Sequence, residues 1–185
     1  MTNSGVPYRK GHGTGNEFIL VSGLDGYFAD PNSVTPKIAQ SLCNRDHGLG
    51  ADGILRVVKA SEFDVDDAQY FMDYTNADGS LSATCGNGLR VFARYLVEAG
   101  LENRGQFTIG TRAGTVTVAI SETDTDFTNI AVTMGHVSLG PMDVTVQTET
   151  GSWPAVGIAG MNNHAISVVD DIAEAGSLKE IPTAL

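Results

Sequence analysis

The sequence predicts an α+β fold, strands gathered around an apolar helix, on three observations. Short runs of β-branched and aromatic residues recur along the chain with turn residues between them. One segment, Leu89 to Ala99, has the helical period, with Leu89, Phe92, Ala93, Leu96 and Val97 on one face and Val91 and Tyr95 adding apolar surface elsewhere. A helix apolar on most sides is one that a sheet encloses. The composition is that of a folded protein, 42% hydrophobic and 18% charged, with 22 glycines spread along 185 residues rather than collected in a linker.

Taken in order, the glycine-rich Gly11 to Gly15 precedes a first buried strand at Phe18-Ile19-Leu20-Val21, and Gly23 to Asp30 reads as a turn region. Thr35-Pro36 reads as an N-cap with proline at the first helical position, opening a helix whose Ile38, Ala39, Leu42 and Cys43 share a face. Strands follow at Ile54 to Val58 and Tyr70 to Tyr74, the latter ending at the turn Asn76-Ala77-Asp78-Gly79. Gly100 is placed to end the long helix in a left-handed conformation. Beyond it Phe107 to Ile109, Thr115 to Ile120, Ile130 to Met134 and Ile166 to Val169 are strand-like, and a final helix is expected from Ile172. The polar stretch Ser121 to Thr128 reads as a domain connection, dividing the chain into 1–126 and 127–185.

Charge narrows the function classes. With 11 Lys and Arg against 22 Asp and Glu, the net charge of -11 repels phosphate backbones and anionic lipid surfaces, so neither nucleic acid nor a membrane is an expected partner. Met1 to Tyr8 lacks the pattern of an export segment, and two cysteines do not make a disulfide framework, which together fit a cytoplasmic location. The four histidines, His12, His47, His136 and His164, have no metal-ligand spacing, so no metal is expected. Gly11 to Gly15 precedes a strand instead of following one and does not form a nucleotide-binding loop.

The two cysteines differ. Cys85 directly precedes Gly86-Asn87-Gly88 and the long helix. A sulfur at a helix N-terminus meets unpaired N–H groups and the positive end of the helix dipole, which favour thiolate, the form that acts as a base. The flanking glycines let backbone amides approach an anion such as a carboxylate. Cys43 lies on an apolar helix face and reads as a core residue.

Several stretches, in this order, resemble diaminopimelate epimerases: Gly13-Thr14-Gly15-Asn16-Glu17-Phe18, then Leu42-Cys43-Asn44-Arg45-Asp46-His47-Gly48-Leu49-Gly50-Ala51-Asp52-Gly53, then Asn76-Ala77-Asp78-Gly79-Ser80 followed by Cys85-Gly86-Asn87-Gly88. Thr111-Arg112-Ala113-Gly114 also matches a family signature. The resemblance implies two similar domains, each a mixed β-sheet barrel wrapped around a central helix, with the active site between them and the second domain incomplete here. It implies cofactor-independent epimerisation of LL- to meso-diaminopimelate on the lysine and cell-wall route. Cys85 would be one of two acid/base thiols, and Asn16, Asn76, Gly86, Asn87 and Asn162 would contact the amino-acid substrate. A homodimer is an assembly that this reading allows.

Two departures accompany the resemblance. Gly160-Met161-Asn162-Asn163-His164 keeps the family's asparagine at Asn162 but has Met161 for a glycine and Asn163 for a proline. The family's glutamate–arginine pair and second cysteine have no counterpart before Leu185, so the chain reads as incomplete and inactive alone. Another amino-acid racemase of the same fold and a non-catalytic binding fragment are the alternatives.

Overall fold

The computed structural model of the protein describes residues 5–176. Met1 to Ser4, used above in the reading of the N-terminus, and residues 177–185 lie outside them. The chain forms two compact units, Met1–Met134 and Gly135–Leu185.

The first unit is one seven-stranded sheet whose strands lie in sequence order: β1 (Arg9–Gly13), β2 (Asn16–Ser22), β3 (Gly53–Lys59), β4 (Tyr70–Asn76), β5 (Gly105–Thr111), β6 (Gly114–Ile120) and β7 (Ile130–Thr133). The pairs β2–β3 and β4–β5 are parallel and the others antiparallel. A parallel neighbour needs a crossover. Helix α1 (Pro36–Cys43) supplies the first and α2 (Gly86–Glu98) the second.

Helix α2 packs against β1, β2, β3 and β7. Because the first and last strands of the sheet touch the same helix, the sheet curls around it. Strands β2 and β3 lie between the two helices. Ile19, Val21 and Ile54 form a core with Ala39 and Cys43 of α1, while Phe18 and Leu55 face Gly88 of α2. Both faces are covered, which is why Phe18-Ile19-Leu20-Val21 is apolar without alternation.

Local signals are realised at the ends of both helices. Thr35 caps α1, its Oγ1 accepting from Ile38 N at 3.2 Å, with Pro36 at the first turn. Gly100, at φ 70°, follows the end of α2 in the left-handed region. Arg56, 1% exposed, donates from Nε to Asp73 Oδ2 at 2.7 Å and from Nη1 to the Phe28 carbonyl at 3.0 Å, tying the Tyr27–Ala29 turn to the sheet. Arg112, from the Thr-Arg-Ala-Gly signature, pairs with the other oxygen of Asp73 and stands over the rings of Phe63 and Phe71.

The structure differs from the sequence reading in several places. Gly11 and Gly13 belong to a strand, β1, instead of preceding the first one. They are glycines because β1 lies against α2, where a Cβ on Gly13 would stand 2.8 Å from the Asn87 carbonyl oxygen and one on Gly11 3.0 Å from Val91 Cγ1. Helix α2 begins earlier than Leu89 and is open on one side. Its Arg94 and Glu98 are exposed and paired at 2.7 Å, and Val91 and Tyr95 line a groove of about 490 Å³ shared with Arg9, Leu20, Phe127 and Ile130. Residues Ile130–Thr133 hydrogen-bond to β6, so they finish the first sheet, and the division of the chain falls after Met134 rather than after 126.

In the second unit β8 (Ser138–Leu139), β9 (Val144–Thr148) and β11 (His164–Ile166) each pair antiparallel with β10 (Gly151–Ala159). The expected strand from Ile166 to Val169 lies mostly beyond β11, and Val168 is exposed. The segment from Ile172 is a single 3-10 turn, Ile172–Ala175; the rest of that expected helix falls outside the described residues.

Candidate active site

Register gathers the predicted residues of the first unit. Phe18, Gly53 and Asn76 lie abreast across β2, β3 and β4, which brings Asn16, Asp52 and Asn76 to the same end of the sheet. The loop after β4 then delivers Cys85 to the start of α2.

Cys85 is the N-cap of α2, in extended backbone with φ -153° and ψ 116°. Its Sγ accepts from Gly88 N at 3.4 Å and donates to Asn16 Oδ1 at 3.8 Å. One contact supports a thiolate and the other a thiol. The N–H groups of Gly86 and Asn87, in the first turn, have by helix geometry no partner inside the helix. The Asn87 side-chain oxygen is occupied by Thr14 Oγ1 at 3.0 Å and by Arg90.

Behind Asn16 stands a charged network. Asn16 Nδ2 donates to Asp52 Oδ2 at 2.7 Å, and the same oxygen accepts from Glu17 N at 2.8 Å. Arg45 donates to Asp52 Oδ1 at 2.9 Å and also pairs with Glu17, which Lys10 reaches at 3.2 Å. Partial burial works to raise the Asp52 carboxyl, but the donors from Glu17, Asn16 and Arg45 outweigh it and hold it below its ordinary value. Hydrogen bonds from Arg45 and then Lys10 lower Glu17 likewise. The Tyr74 phenol is raised, first by burial and then by the neighbouring Cys85 and Asp52, so it stays protonated.

Asn76 donates from Nδ2 to Ser80 Oγ at 3.0 Å, and Ser80 in turn donates to Asp78 Oδ1 at 2.6 Å. Asn162 lies in a bend between β10 and β11 of the second unit, where it is exposed. Cys43 is buried beside Ala39 and Ile54, and burial pushes its thiol up to about 11. Among the described residues no three His, Cys, Asp or Glu side chains converge as metal ligands would, and no helix is long and apolar enough to cross a membrane.

Asp52, Arg45 and Ser80 received no role from the sequence, although each stands inside or beside a quoted motif. Their signal is a carboxylate, a cation and a hydroxyl retained among glycines. Their partners lie too far along the chain for spacing to reveal, as with Arg45 and Glu17, separated by 28 positions.

The family model for diaminopimelate epimerase matches residues 8–140. The chain belongs to that family. Diaminopimelate epimerase of Streptomyces coelicolor is 38% identical over 183 residues, an alignment covering 96% of this chain and 61% of the relative. That of Corynebacterium glutamicum is 40% identical over 177 residues, covering 92% and 61%. That of Thermobifida fusca is 46% identical over 144 residues, covering 72% and 50%. The chain therefore spans about three fifths of the length of the first two relatives. Among solved structures, a probable proline racemase from Agrobacterium radiobacter K84 superposes with a TM-score of 0.67 at 17% identity, over 94% of this chain and 54% of that one. A hydroxyproline epimerase from Agrobacterium vitis gives 0.65 at 16%, over 92% and 52%. These two show the fold, a curled sheet with few helices.

Proposed function

We propose that this chain carries one half of the active site of a diaminopimelate epimerase, which inverts an α-carbon between the LL and meso forms by a two-thiol mechanism without a cofactor. The observation that supports this most is Cys85 at the N-cap of α2, its sulfur 3.4 Å from Gly88 N and 3.8 Å from Asn16 Oδ1. Inversion needs a base on one face of the carbon and an acid on the other. In one direction Cys85, as a thiolate supported by the Gly88 N–H, removes the α-proton while the opposite thiol delivers one to the other face; in the reverse direction Cys85, as a thiol, delivers the proton to the carbanion-like centre that the opposite thiolate has generated.

Helix N-terminal N–H groups of Gly86 and Asn87 receive the substrate carboxylate, where charge develops as the proton leaves. Asn16 and Asn76 contact the remainder of the substrate from the sheet end, and the resemblance to the family assigns Asn162 a substrate contact too. The unit ending at Met134 is the first of two epimerase domains in this reading, and the second thiol comes from a region outside this chain. The reaction serves lysine and cell-wall precursor synthesis in the cytoplasm, and a homodimer is compatible with it.

Incubation with LL-diaminopimelate in deuterated water tests the proposal, with mass spectrometry reading deuterium at the α-carbon. The 185-residue chain alone is expected to incorporate none. A folded polypeptide that continues this chain with the remaining portion of the Streptomyces coelicolor relative is expected to exchange and epimerise. Turnover by the chain alone would overturn the two-thiol account, and a folded long form inert toward diaminopimelate would overturn the substrate assignment.

A further inference from the structure

We infer that Asp52 is a positioning residue for Cys85: it holds the Asn16 amide by its nitrogen, so that the amide oxygen, rather than the NH₂, faces the sulfur and accepts from its thiol form. This rests on the reading of Cys85 as a reacting thiol, and names a residue that acts on it at one remove.

An asparagine side chain has a donor end and an acceptor end, and which one meets a neighbour decides what that neighbour must be. An ionised carboxylate only accepts. The 2.7 Å contact between Asn16 Nδ2 and Asp52 Oδ2 therefore fixes the amide, and its oxygen is the end that lies 3.8 Å from Cys85 Sγ. Had the amide been free to turn, its NH₂ could donate to the sulfur and support thiolate instead.

Asp52 is itself clamped. Its side chain accepts from Glu17 N at 2.8 Å and from Arg45 at 2.9 Å. Its backbone N–H donates to the Glu17 carbonyl at 2.8 Å, and its carbonyl accepts from Ala77 N at 3.0 Å. It thus joins the start of β2 to the turn after β4, the two places that carry Asn16 and Asn76. The sulfur then receives opposed contacts, Gly88 N–H for the thiolate and Asn16 oxygen for the thiol. A group that must serve as base in one direction and acid in the other works best when neither form is strongly preferred.

A double-mutant cycle on the 185-residue chain tests this, with the rate of Cys85 carbamidomethylation by iodoacetamide at neutral pH as the readout. Asp52→Ala is expected to speed the reaction at least about threefold, because the released amide can donate to the thiolate. In the Asn16→Ala background the same change should have much less effect. An equal factor in both backgrounds would mean that Asp52 acts on the sulfur by charge alone, and overturns the inference.

A second measurement needs no folded Asp52 variant. In the unsubstituted chain the Asn16 side-chain NH₂ resonances, assigned by their loss in Asn16→Ala, should exchange with solvent far more slowly than those of exposed asparagines. Exchange at the exposed rate also overturns it. If instead Cys85 is no more reactive than Cys43, the reading of Cys85 fails, whereas a reactive Cys85 without coupling sinks only the positioning role.

Discussion

The two helices of the first unit start with the same device built from different atoms. Thr35 Oγ1 accepts from Ile38 N at 3.2 Å at the start of α1, and Cys85 Sγ accepts from Gly88 N at 3.4 Å at the start of α2. Hydroxyl-bearing residues are among the preferred N-caps, and sulfur is a weak acceptor. At α1 the side chain is there for the helix. Under the proposed function the relation is reversed at α2, where the helix serves the side chain, because a threonine would cap as well but could not act as the base near neutral pH.

The largest effect expected from this contrast follows Cys85→Ser in a polypeptide of the relatives' length. The serine oxygen keeps the cap, so the thermal midpoint should hold or rise, while deuterium exchange at the α-carbon falls by roughly a thousandfold or more. A parallel fall in stability and activity would instead make Cys85 a structural cap like Thr35.

Helix ends also separate the two thiols. Cys43 is the last residue of α1, packed on Ala39 and Ile54 and pushed up to about 11 by burial, whereas Cys85 opens α2 half-buried. At neutral pH the Cys43 thiolate is roughly a hundredfold scarcer than that of an ordinary thiol. Peptide mapping after limiting iodoacetamide should therefore find Cys85 labelled well before Cys43; equal labelling would erase the contrast. Between the ordinary thiol value of 9.0 and about 11, folded Cys43 keeps a proton that the unfolded chain has lost. Its contribution to stability accordingly falls as pH rises through that window.

Much of this contrast was legible before the structure. Thr35-Pro36, the glycine after α2, the apolar stripe holding Cys43 and the glycines after Cys85 are local signals, and local geometry honoured them. Strand β1 was not legible, since Gly11 and Gly13 look like loop residues unless the helix beside them is known. The pair β9 and β10 had a partial signal: Val144-Thr145-Val146-Gln147-Thr148 alternates, but Pro154 and two glycines obscure its partner. In the site, Cys85 and Asn16 were readable as motif members. The Asp52, Arg45 and Glu17 network was not, because β2, the loop after α1 and β3 meet only through the parallel crossover.

Gly13 offers a test of that hidden strand at a smaller scale. A methyl group there would stand 2.8 Å from the Asn87 carbonyl oxygen, in the first turn of α2, and backbone yields less readily than a flexible side chain. Gly13→Ala should lower stability by about 1–3 kcal/mol in denaturant titration and loosen the start of α2. Gly5→Ala, with nothing within 4 Å of the added carbon, is the matched control and should be near neutral.

The smallest expected effect is at the other cap. Thr35→Ala removes the acceptor of Ile38 N, one of the N–H groups that a helix start leaves without a partner inside the helix. Thr35 is exposed, so water replaces the lost oxygen and no buried donor is stranded. Pro36 still presets the first turn. The cost should then be about 1 kcal/mol, read as a shift in the denaturant midpoint at unchanged slope. Because α1 packs Ala39 and Cys43 on the β2–β3 face opposite the one that meets α2, Cys85 alkylation should not change. An altered Cys85 rate in Thr35→Ala would mean that the two helix starts are coupled through the sheet, and the division between a structural cap and a chemical one would no longer hold.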